Sequence, residues 1–298
     1  MRKRIAILMA IVLLAGAVLP VAPVQTVHAA DPAEAVTQEM KESLIFEMSF
    51  ENLAQSAGET LPSEITADTG EAVSVYDSVA VVEGHDGGKA IDLTFDKGYL
   101  TVPNTDKLNP ESISVSVWLK RMESANAEAR ILWAKPLNSW NGNGWFMGWT
   151  SGETMAMVID GSNLAVEKGS ADTRLPEGVW TNITATFDGS TGAITVYQDG
   201  IKFAQTTISG GKITKSTLTD ILIGKSGYGN VGIGCYADDF QIYNRALTAK
   251  EVGLLAGLTD EKLLEADADA LSVPSRVSAD FTLPLSGANE SVITWNAE

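Results

Sequence analysis

Alternation of apolar and polar residues over short runs constrains this chain more than any other feature of its sequence. The runs SLIFEMSFEN, AIDLTF, SISVSVWL, TNITATF, DILIGK and DDFQIY all show this pattern. It is typical of β-strands that bury one face. Turn residues separate the runs, as at Asp199-Gly200 between ITVYQ and IKFAQTT, where a tight hairpin is expected. Many short strands with closely spaced turns predict an all-β fold, a sandwich or barrel of antiparallel sheets.

One helix is predicted near the end of this region. Thr248 and Glu251 form a capping box, in which each side chain can bind the backbone amide of the other residue. Apolar residues follow, and Gly257 ends the helix. Residues 259–270 are charged and lack alternation, so we expect them to form a linker. Residues 271–298 return to a strand-like pattern, but two or three strands cannot form an independent sandwich.

The N-terminus has the three parts of a secretory signal peptide. Residues 2–4 are basic, residues 5–19 are apolar, and small residues at 27–30 fit a cleavage site. We therefore expect residues 1–30 to be removed from a secreted protein, with residues 31–43 as an N-terminal linker. The alternative is an uncleaved membrane anchor, but the apolar run is short and prolines follow it closely. No membrane contact is expected after cleavage.

The chain is strongly acidic, with a formal net charge of −17. Such a surface repels polyanions, which argues against nucleic acid as a partner. Acidic secreted proteins can bind Ca²⁺ through carboxylate and carbonyl oxygens, although a solvated surface is the simpler interpretation of the charge. Cys235 is the only cysteine, so an internal disulfide and a metal site built on cysteines are both excluded.

Four of the seven tryptophans lie in WAKPLNSWNGNGWFMGW, residues 133–149. Trp145 and Trp149 share one face of a predicted strand, and two interpretations remain open for them. They can pack in the core against the methionines of MAMVID, or they can line the concave face of a sheet where a sugar ring stacks. The other tryptophans of predicted strands are expected in the core: Trp118, Trp133 and Trp180.

Trp140 differs because it lies among asparagines and glycines in NSWNGNG, where nothing indicates burial. An exposed aromatic ring beside amide side chains suits a sugar, whose apolar face stacks on the ring while its hydroxyls bind the amides. The candidate ligand-binding residues are therefore Trp140, Asn141, Asn143, Trp145 and Trp149. The alternative for Trp140 is a loop side chain folded back onto the sheet.

Catalytic groups are not evident in the sequence. His85 in VEGHDGGK is the only histidine after the signal segment, and a loop residue is a simpler interpretation than a general base. Glycosidases need two carboxylates at close spacing. The acidic run EADADA is better explained as a solvated part of the linker. We therefore predict that this chain is not an enzyme.

Four segments follow one another in a characteristic order: GKAIDLTFDKGYLTVPN, SISVSVWLK, WTNITATFDGSTGAITVYQDG and YADDFQIYNRALTAKEV. In this order they resemble LamG-like jelly-roll domains of the concanavalin A-like lectin/glucanase superfamily. The resemblance covers about residues 44–258 and implies a two-sheet antiparallel jelly-roll sandwich with one short C-terminal helix. Leu283-Pro284 and the ITW at 293–295 resemble the first half of an atrophied bacterial Ig-like domain. Residues 271–298 are therefore expected to be a partial Ig-like β segment.

The resemblance also implies a structural Ca²⁺ that ties the first strand of the jelly roll to the last. The matching positions are Glu51, Asn52, Asp238 and Asp239. Alternation places Asp238 on the same face as Phe240, where an unpaired carboxylate would be costly. Ca²⁺ is one possible partner for Asp238, and Arg245 or backbone amides are the alternatives.

Together these observations predict a secreted, non-catalytic binding module. Its expected role is carbohydrate binding or cell-surface adhesion, with a polysaccharide, a cell-surface glycan or a protein as the partner. By family analogy it would be accessory to polysaccharide degradation in bacteria. One alternative is that the chain is the N-terminal part of a glycoside hydrolase, linked to a catalytic domain that lies outside it. The other is a structural spacer without a ligand.

Overall fold

The structure is a computed structural model that describes most of the chain. The described residues are 32–122, 130–137, 142–149, 155–161, 163–164, 175–208, 213–216, 220–229, 232–271, 284–287 and 291–294. The predicted signal peptide at 1–30, Trp140 and Asn141 lie outside these residues, as does most of the predicted Ig-like segment.

The described strands form two sheets in which all strand pairs are antiparallel. The first sheet contains β1 (Leu44–Met48), β4 (Val81–Glu83), β5 (Lys89–Leu93), β7 (Ile113–Arg121), β12 (Trp180–Asp188), β13 (Ala193–Gln198), β14 (Ile201–Thr207) and β16 (Cys235–Tyr243). The second contains β2 (Glu64–Thr66), β3 (Ala72–Asp77), β6 (Gly98–Val102), β8 (Arg130–Ala134), β9 (Trp145–Trp149), β10 (Met155–Ile159), β11 (Asn163–Leu164) and β15 (Ile221–Ile223).

The order of the strands is that of a two-sheet sandwich. The first sheet runs β14-β13-β12-β7-β16-β5-β4, with β1 also paired to β16. The second runs β11-β10-β9-β8-β15-β6-β3-β2. The inner faces of both sheets contribute to one apolar core, with members such as Phe46, Leu119, Trp145 and Phe187. The predicted all-β jelly-roll sandwich is confirmed.

Three α-helices and a short 3-10 helix at Asp106–Leu108 accompany the described strands. Helix α1 spans Pro32–Ser43, α2 spans Ala249–Leu255 and α3 spans Asp260–Ala270. The capping box before α2 is present, since Thr248 N donates to Glu251 (2.8 Å) and Glu251 N donates to Thr248 Oγ1 (3.3 Å). Among the described residues, no helix has the length and apolar character needed to cross a membrane.

The two segments expected to be linkers are helical. The segment 31–43 is almost entirely α1, and 259–270 forms α3 after the cap residue Thr259. Leu263 of α3 is 3 % exposed, so this acidic helix packs against the fold through an apolar side chain. In the C-terminal segment, Ser286 and Val292 form an antiparallel bridge, and Ser291 N donates to Asp267 of α3 (3.1 Å).

Part of the outer face of the first sheet is covered by helices. Met40 of α1 and Val252 of α2 are buried in one cluster with Tyr197 and Tyr243, which project from this face. Polar side chains beside them are also buried and bound to one another. Thr184 Oγ1 donates to Ser116 Oγ (2.9 Å), and Asn182 Nδ2 donates to the same oxygen (3.2 Å). Because these buried polar groups have partners, covering them costs little.

The outer face of the second sheet carries a row of side chains that crosses it. Cross-strand pairing aligns Ser74, Thr101, Leu222, Trp133, Phe146 and Val158. Trp133, Phe146, Val158 and Leu222 form an apolar cluster separate from the main core. Alternation predicted Trp133 on the core face with Ile131, but a register shift between Arg130 and Leu132 turns it outward. It is fully buried there.

Candidate functional site

The Asp238-Asp239 pair lies at an irregularity in β16. The pairing of β16 with β7 shifts between Asp238 and Gln241, and Asp239 adopts a left-handed backbone conformation with φ 46°. This bulge inserts a residue and breaks the alternation of side chains. Asp238 pairs with Trp118 and shares its outer face, whereas Phe240 lies in the core. The prediction that Asp238 shares the face of Phe240 is therefore wrong.

The bulge also marks the point where β16 changes its neighbour. Residues Cys235–Ala237 pair with β5, whereas Phe240 and the residues after it pair with β1. The loop Gly84–Gly88, which joins β4 to β5, lies beside this junction and is closed by a bond from Gly84 N to Gly88 O (2.9 Å). Thus two carboxylates and a glycine-rich loop meet on one edge of the first sheet's outer face.

His85 in this loop is bound to the acidic pair. Its backbone N donates to Asp238 Oδ2 (3.0 Å), and its Nδ1 lies 2.9 Å from the same oxygen. Its Nε2 lies 3.9 Å from Asp239 Oδ2. The imidazole stacks on Trp118 with centroids 4.3 Å apart and meets Trp180 edge to face at 6.3 Å. Both tryptophans were expected in the core, but they are half-buried on the outer face beside His85.

Burial makes both carboxylates costly to ionise. It raises the pKa of Asp239 to about 7, and the adjacent charge of Asp238 adds to this effect, while His85 opposes it. Burial likewise raises the pKa of Asp238, although hydrogen bonds from the His85 side chain and backbone act in the opposite direction. A nearby positive charge would therefore stabilise the ionised forms of these two neighbouring carboxylates.

Groups that can bind a cation or transfer a proton lie together here, and they differ in their access to solvent. Both nitrogens of His85 are directed at carboxylates, and the Asp238 side chain is 2 % exposed, which hides it from a substrate. A general base must reach the proton that it removes. Donor atoms of His85, Asp238 and Asp239 all lie within 4.8 Å of one another, the one such set of three among the residues that the structure describes.

The other predicted metal ligands are engaged elsewhere. Glu51 Oε1 accepts from Lys89 N (2.6 Å), just beyond the glycine-rich loop. Asn52 Nδ2 donates to Asp68 Oδ1 (2.7 Å). The structure therefore brings Asp238 and Asp239 together with His85, but it does not bring Glu51 and Asn52 into the same set of donor atoms.

The predicted sugar-binding residues are also separated. Trp145 and Trp149 are 0 % and 2 % exposed in the core, so they offer no face to a ligand, and the core interpretation of this pair is correct. Asn143 is exposed in the bend before β9. Trp140 and Asn141 lie outside the described residues.

Sequence reasoning missed His85 as a partner of the acids, although GHDGG held a signal. A Cβ at Gly84 would lie 2.7 Å from Asp238 Oδ2, and one at Gly88 would collide with the Glu51 carboxylate. Two distant carboxylates crowd this loop: the buried Asp238 leaves no room for a side chain at Gly84, whereas the exposed Glu51 side chain beside Gly88 can move aside. Nothing in the local sequence specifies which distant acids crowd the loop.

Comparison with known proteins agrees with this architecture. A model of the concanavalin A-like lectin/glucanase superfamily matches residues 95–253, more than half of the chain. No curated protein sequence matches it. Among solved structures, domain 4 of AbnA, a GH43 extracellular arabinanase from Geobacillus stearothermophilus in complex with arabinotriose, is 18 % identical with a TM-score of 0.53. The match covers 72 % of this chain and 98 % of that domain.

Two toxin domains are similar to this chain in fold. The binding domain of Paraclostridial mosquitocidal protein 1 is 18 % identical with a TM-score of 0.55, covering 73 % of this chain and 52 % of that one. The ligand binding domain of botulinum neurotoxin serotype D, in complex with N-acetylneuraminic acid, is 14 % identical with a TM-score of 0.55. That match covers 77 % of this chain and 53 % of the toxin domain, so the chain spans about half of each toxin domain. The sandwich and the family match together place this chain in the concanavalin A-like lectin/glucanase superfamily.

Proposed function

We propose that this protein is a secreted, non-catalytic module that binds a glycan and is accessory to polysaccharide degradation. The observation that carries the proposal is the correspondence with the arabinanase domain, which was captured with a trisaccharide and is matched over 98 % of its length. The toxin domains are binding domains too, one of them in complex with a sugar acid. Fold likeness at this identity does not transfer a site, so the site must come from this chain's own residues.

The geometry of the acidic cluster supports a non-catalytic role. Retaining and inverting glycosidases need two carboxylates that reach opposite sides of a glycosidic bond. Asp238 is almost fully buried and accepts hydrogen bonds from His85 and from Asp239 N (2.8 Å). Asp238 therefore presents little surface to a sugar ring, so the pair offers one accessible carboxylate, that of Asp239, rather than two.

The test of this function is binding without turnover. The purified protein would be titrated against a panel of polysaccharides, including arabinan, xylan, galactan and β-glucans, by affinity electrophoresis and calorimetry. We expect saturable binding to at least one of them and no release of reducing sugar. Absence of binding across the panel would favour the structural spacer, and sugar release abolished by Asp238→Asn would favour an enzyme.

We also propose that Asp238 and Asp239 hold a structural Ca²⁺. Oxygen donors suit this ion, and a divalent charge would relieve the cost of two adjacent buried carboxylates. His85 offers nitrogen, which Ca²⁺ does not favour, so the imidazole would have to give up its contact with Asp239 or leave the pair. Glu51 borders the same loop from the other side and is expected to stay bound to Lys89 N.

Thermal unfolding with and without Ca²⁺ tests this second proposal. We expect Ca²⁺ to raise the melting temperature of the parent protein and to have no effect on Asp239→Asn. The matched control is Asp68→Asn, because Asp68 is an acid in the separate cluster with Asn52 and should keep the response. A melting temperature that is insensitive to chelator and to added Ca²⁺ would contradict the proposal.

A further inference from the structure

A groove opens on the outer face of the second sheet, beside the loop that follows β15. Its volume is about 410 Å³, within the range of about 300–1,000 Å³ that is typical of pockets for small ligands. Side chains along it include Tyr99, Leu137, Asp220, Leu222, Lys225 and Tyr228. The groove therefore combines aromatic, aliphatic and charged groups on the face that carries the apolar cluster of Trp133 and Phe146.

The wall of the groove is built on a buried aromatic pair. Trp133 stacks on Phe146 with centroids 5.2 Å apart, and Tyr228 meets Trp133 edge to face at 5.7 Å. Gly227 lies so close to the indole that any Cβ there would collide with it. The loop is fixed at its start, because Gly224 N donates to Ile131 O of β8 (2.9 Å). Tyr228 is thus held by a short loop that rests directly on Trp133, and it remains 40 % exposed.

Lys225 is held in place by a second aromatic pair. Tyr76 and Tyr99 face each other across β3 and β6 and stack with centroids 4.6 Å apart. The Nζ of Lys225 lies 3.9 Å from the centroid of the Tyr99 ring. A cation over an aromatic face is attracted by the electrons of the ring. The ammonium group therefore has a preferred position along the groove and does not sample many positions in solvent.

The charged groups along the groove are a donor and an acceptor of opposite sign. Lys225 supplies three N–H donors, and the exposed Asp220, just before β15, supplies carboxylate acceptors. Leu137, 51 % exposed, adds apolar surface. Apolar surface with a few polar groups is what a sugar ring needs, because its C–H face packs on an aromatic ring while its hydroxyls both donate and accept.

We propose that this groove binds a neutral glycan, with one ring packed on Tyr228 and hydroxyls hydrogen-bonded to Lys225 and Asp220. This inference rests on the proposed function and assigns it a site. A neutral ligand is favoured because Lys225 and Asp220 balance each other, and because the net charge of −17 repels polyanions.

The experiment uses the full chain and the polysaccharide that the parent protein binds best. Tyr228→Ala removes the packing surface, and we expect it to weaken binding about tenfold or more. Tyr228→Phe keeps the ring and should stay within about threefold of the parent. Lys225→Met keeps the aliphatic stem without the donors and should weaken binding less than Tyr228→Ala. Leu254→Ala, at a 36 % exposed apolar residue of α2, is the matched control and should bind as the parent does.

The outcomes separate this inference from the proposed function. If the parent protein binds no glycan, the proposed function fails and the groove has no glycan to bind. If the parent binds but Tyr228→Ala and Lys225→Met bind equally well, the glycan-binding function stands and the groove is overturned as its site. Loss of binding in Trp180→Ala alone would place the ligand on the first sheet. Binding restricted to acidic glycans, and abolished by salt, would overturn the neutral ligand.

Discussion

The outer faces of the two sheets differ in what covers them. On the first sheet, α1 and α2 close over Tyr197 and Tyr243, and the polar side chains beneath are paired with one another. On the second, Trp133 is buried under the loop that contains Gly227, but other large apolar side chains of this face remain partly exposed. The exposed fractions there are 43 % for Tyr76, 51 % for Leu137 and 40 % for Tyr228.

This difference in covering indicates which residues contribute to the stability of the fold and which remain available to bind a ligand. Where helices close over the first sheet, around Tyr197 and Tyr243, packing and satisfied hydrogen bonds contribute to folding and leave little for a ligand to contact. The part of the same face beside His85 stays more open, with Trp118 and Trp180 half-buried. A face with aromatic groups held rigidly but incompletely covered contributes less to folding and keeps surface available for a partner. Substitutions on the two faces should therefore affect different measurements.

The largest expected effect on stability comes from the buried centre of the second face. Trp133→Ala removes a fully buried indole that contacts Phe146 and donates from Nε1 to Lys135 O (2.8 Å). We expect the free energy of unfolding to fall by about 4 kcal/mol. Urea denaturation would measure it, and Trp133→Phe should recover part of the loss. A loss below about 1 kcal/mol would mean that this row does not support the sandwich.

On the helix-covered face, the next largest effect is expected at Glu251. This 3 % exposed carboxylate accepts from Arg245 Nη1 (2.7 Å) and from Thr248 N (2.8 Å). Glu251→Gln removes the charge but keeps the shape, and we expect a loss of about 2 kcal/mol at neutral pH. Urea denaturation of both proteins at pH 7 measures this difference.

The same substitution has a defined pH dependence. Burial opposes ionisation of Glu251, but hydrogen bonds from Arg245 and Thr248 outweigh it and hold its pKa below the ordinary 4.5. A lowered pKa stabilises the fold above the ordinary value, and this contribution is lost as pH falls through the folded pKa. The gap between parent and Glu251→Gln should therefore narrow below about pH 4.5. A constant gap from pH 7 to pH 3 would contradict the assigned cause.

Lys135, two residues after Trp133, should give a comparable effect that is confined to alkaline solution. Burial lowers the pKa of this 0 % exposed lysine to about 8, against attraction from Asp160. The folded state then binds fewer protons than the unfolded state between about pH 8 and pH 10.5, so stability should rise by about 2 kcal/mol or more across this interval. Lys135→Met removes the titrating group and should abolish the rise. An identical pH profile in both proteins would show that Lys135 titrates normally.

The smallest effect on stability is expected at Tyr228, where binding should change most. Its exposed ring makes one edge-to-face contact with Trp133, so Tyr228→Ala should lower the free energy of unfolding by about 0.5 kcal/mol or less. Denaturation midpoints measured beside glycan affinity provide the comparison. A large loss of stability would show that Tyr228 belongs to the structural cluster rather than to a binding surface.

The sequence predicted the strands and the capped helix because both depend on local patterns. Alternation is sufficient to identify β7, β12 and β16, and the Thr248-Glu251 pair identifies the start of α2. Alternation gave the wrong face where a strand contains a bulge or a register shift. The bulge at Asp239 and the register shift before Leu132 moved Asp238 and Trp133 to outer faces. A bulge leaves no mark in alternation, since it inserts one residue between two regular stretches.

The sites were harder to predict than the fold because they join distant segments. His85 meets Asp238 across 153 positions of sequence, and Tyr99 meets Lys225 only after β6 and β15 have paired. The sequence indicated that aromatic residues near 133–149 mattered, but it could not tell inner from outer faces. The buried Trp145 was therefore predicted as a ligand-binding residue, whereas the exposed Tyr228 was not, because no other aromatic residue lies near Tyr228 in the sequence.

Mapping of glycan-induced chemical-shift changes on the isotope-labelled protein is the most direct test that a glycan binds on the outer face of the second sheet. We expect a neutral oligosaccharide to perturb amides of residues 99–101 and 220–229, on the outer face of the second sheet, and to leave those of residues 84–88 and 238–239 unchanged. Perturbations confined to the His85 loop and the acidic pair, or no perturbation by any glycan that the protein retains on a column, would contradict this expectation.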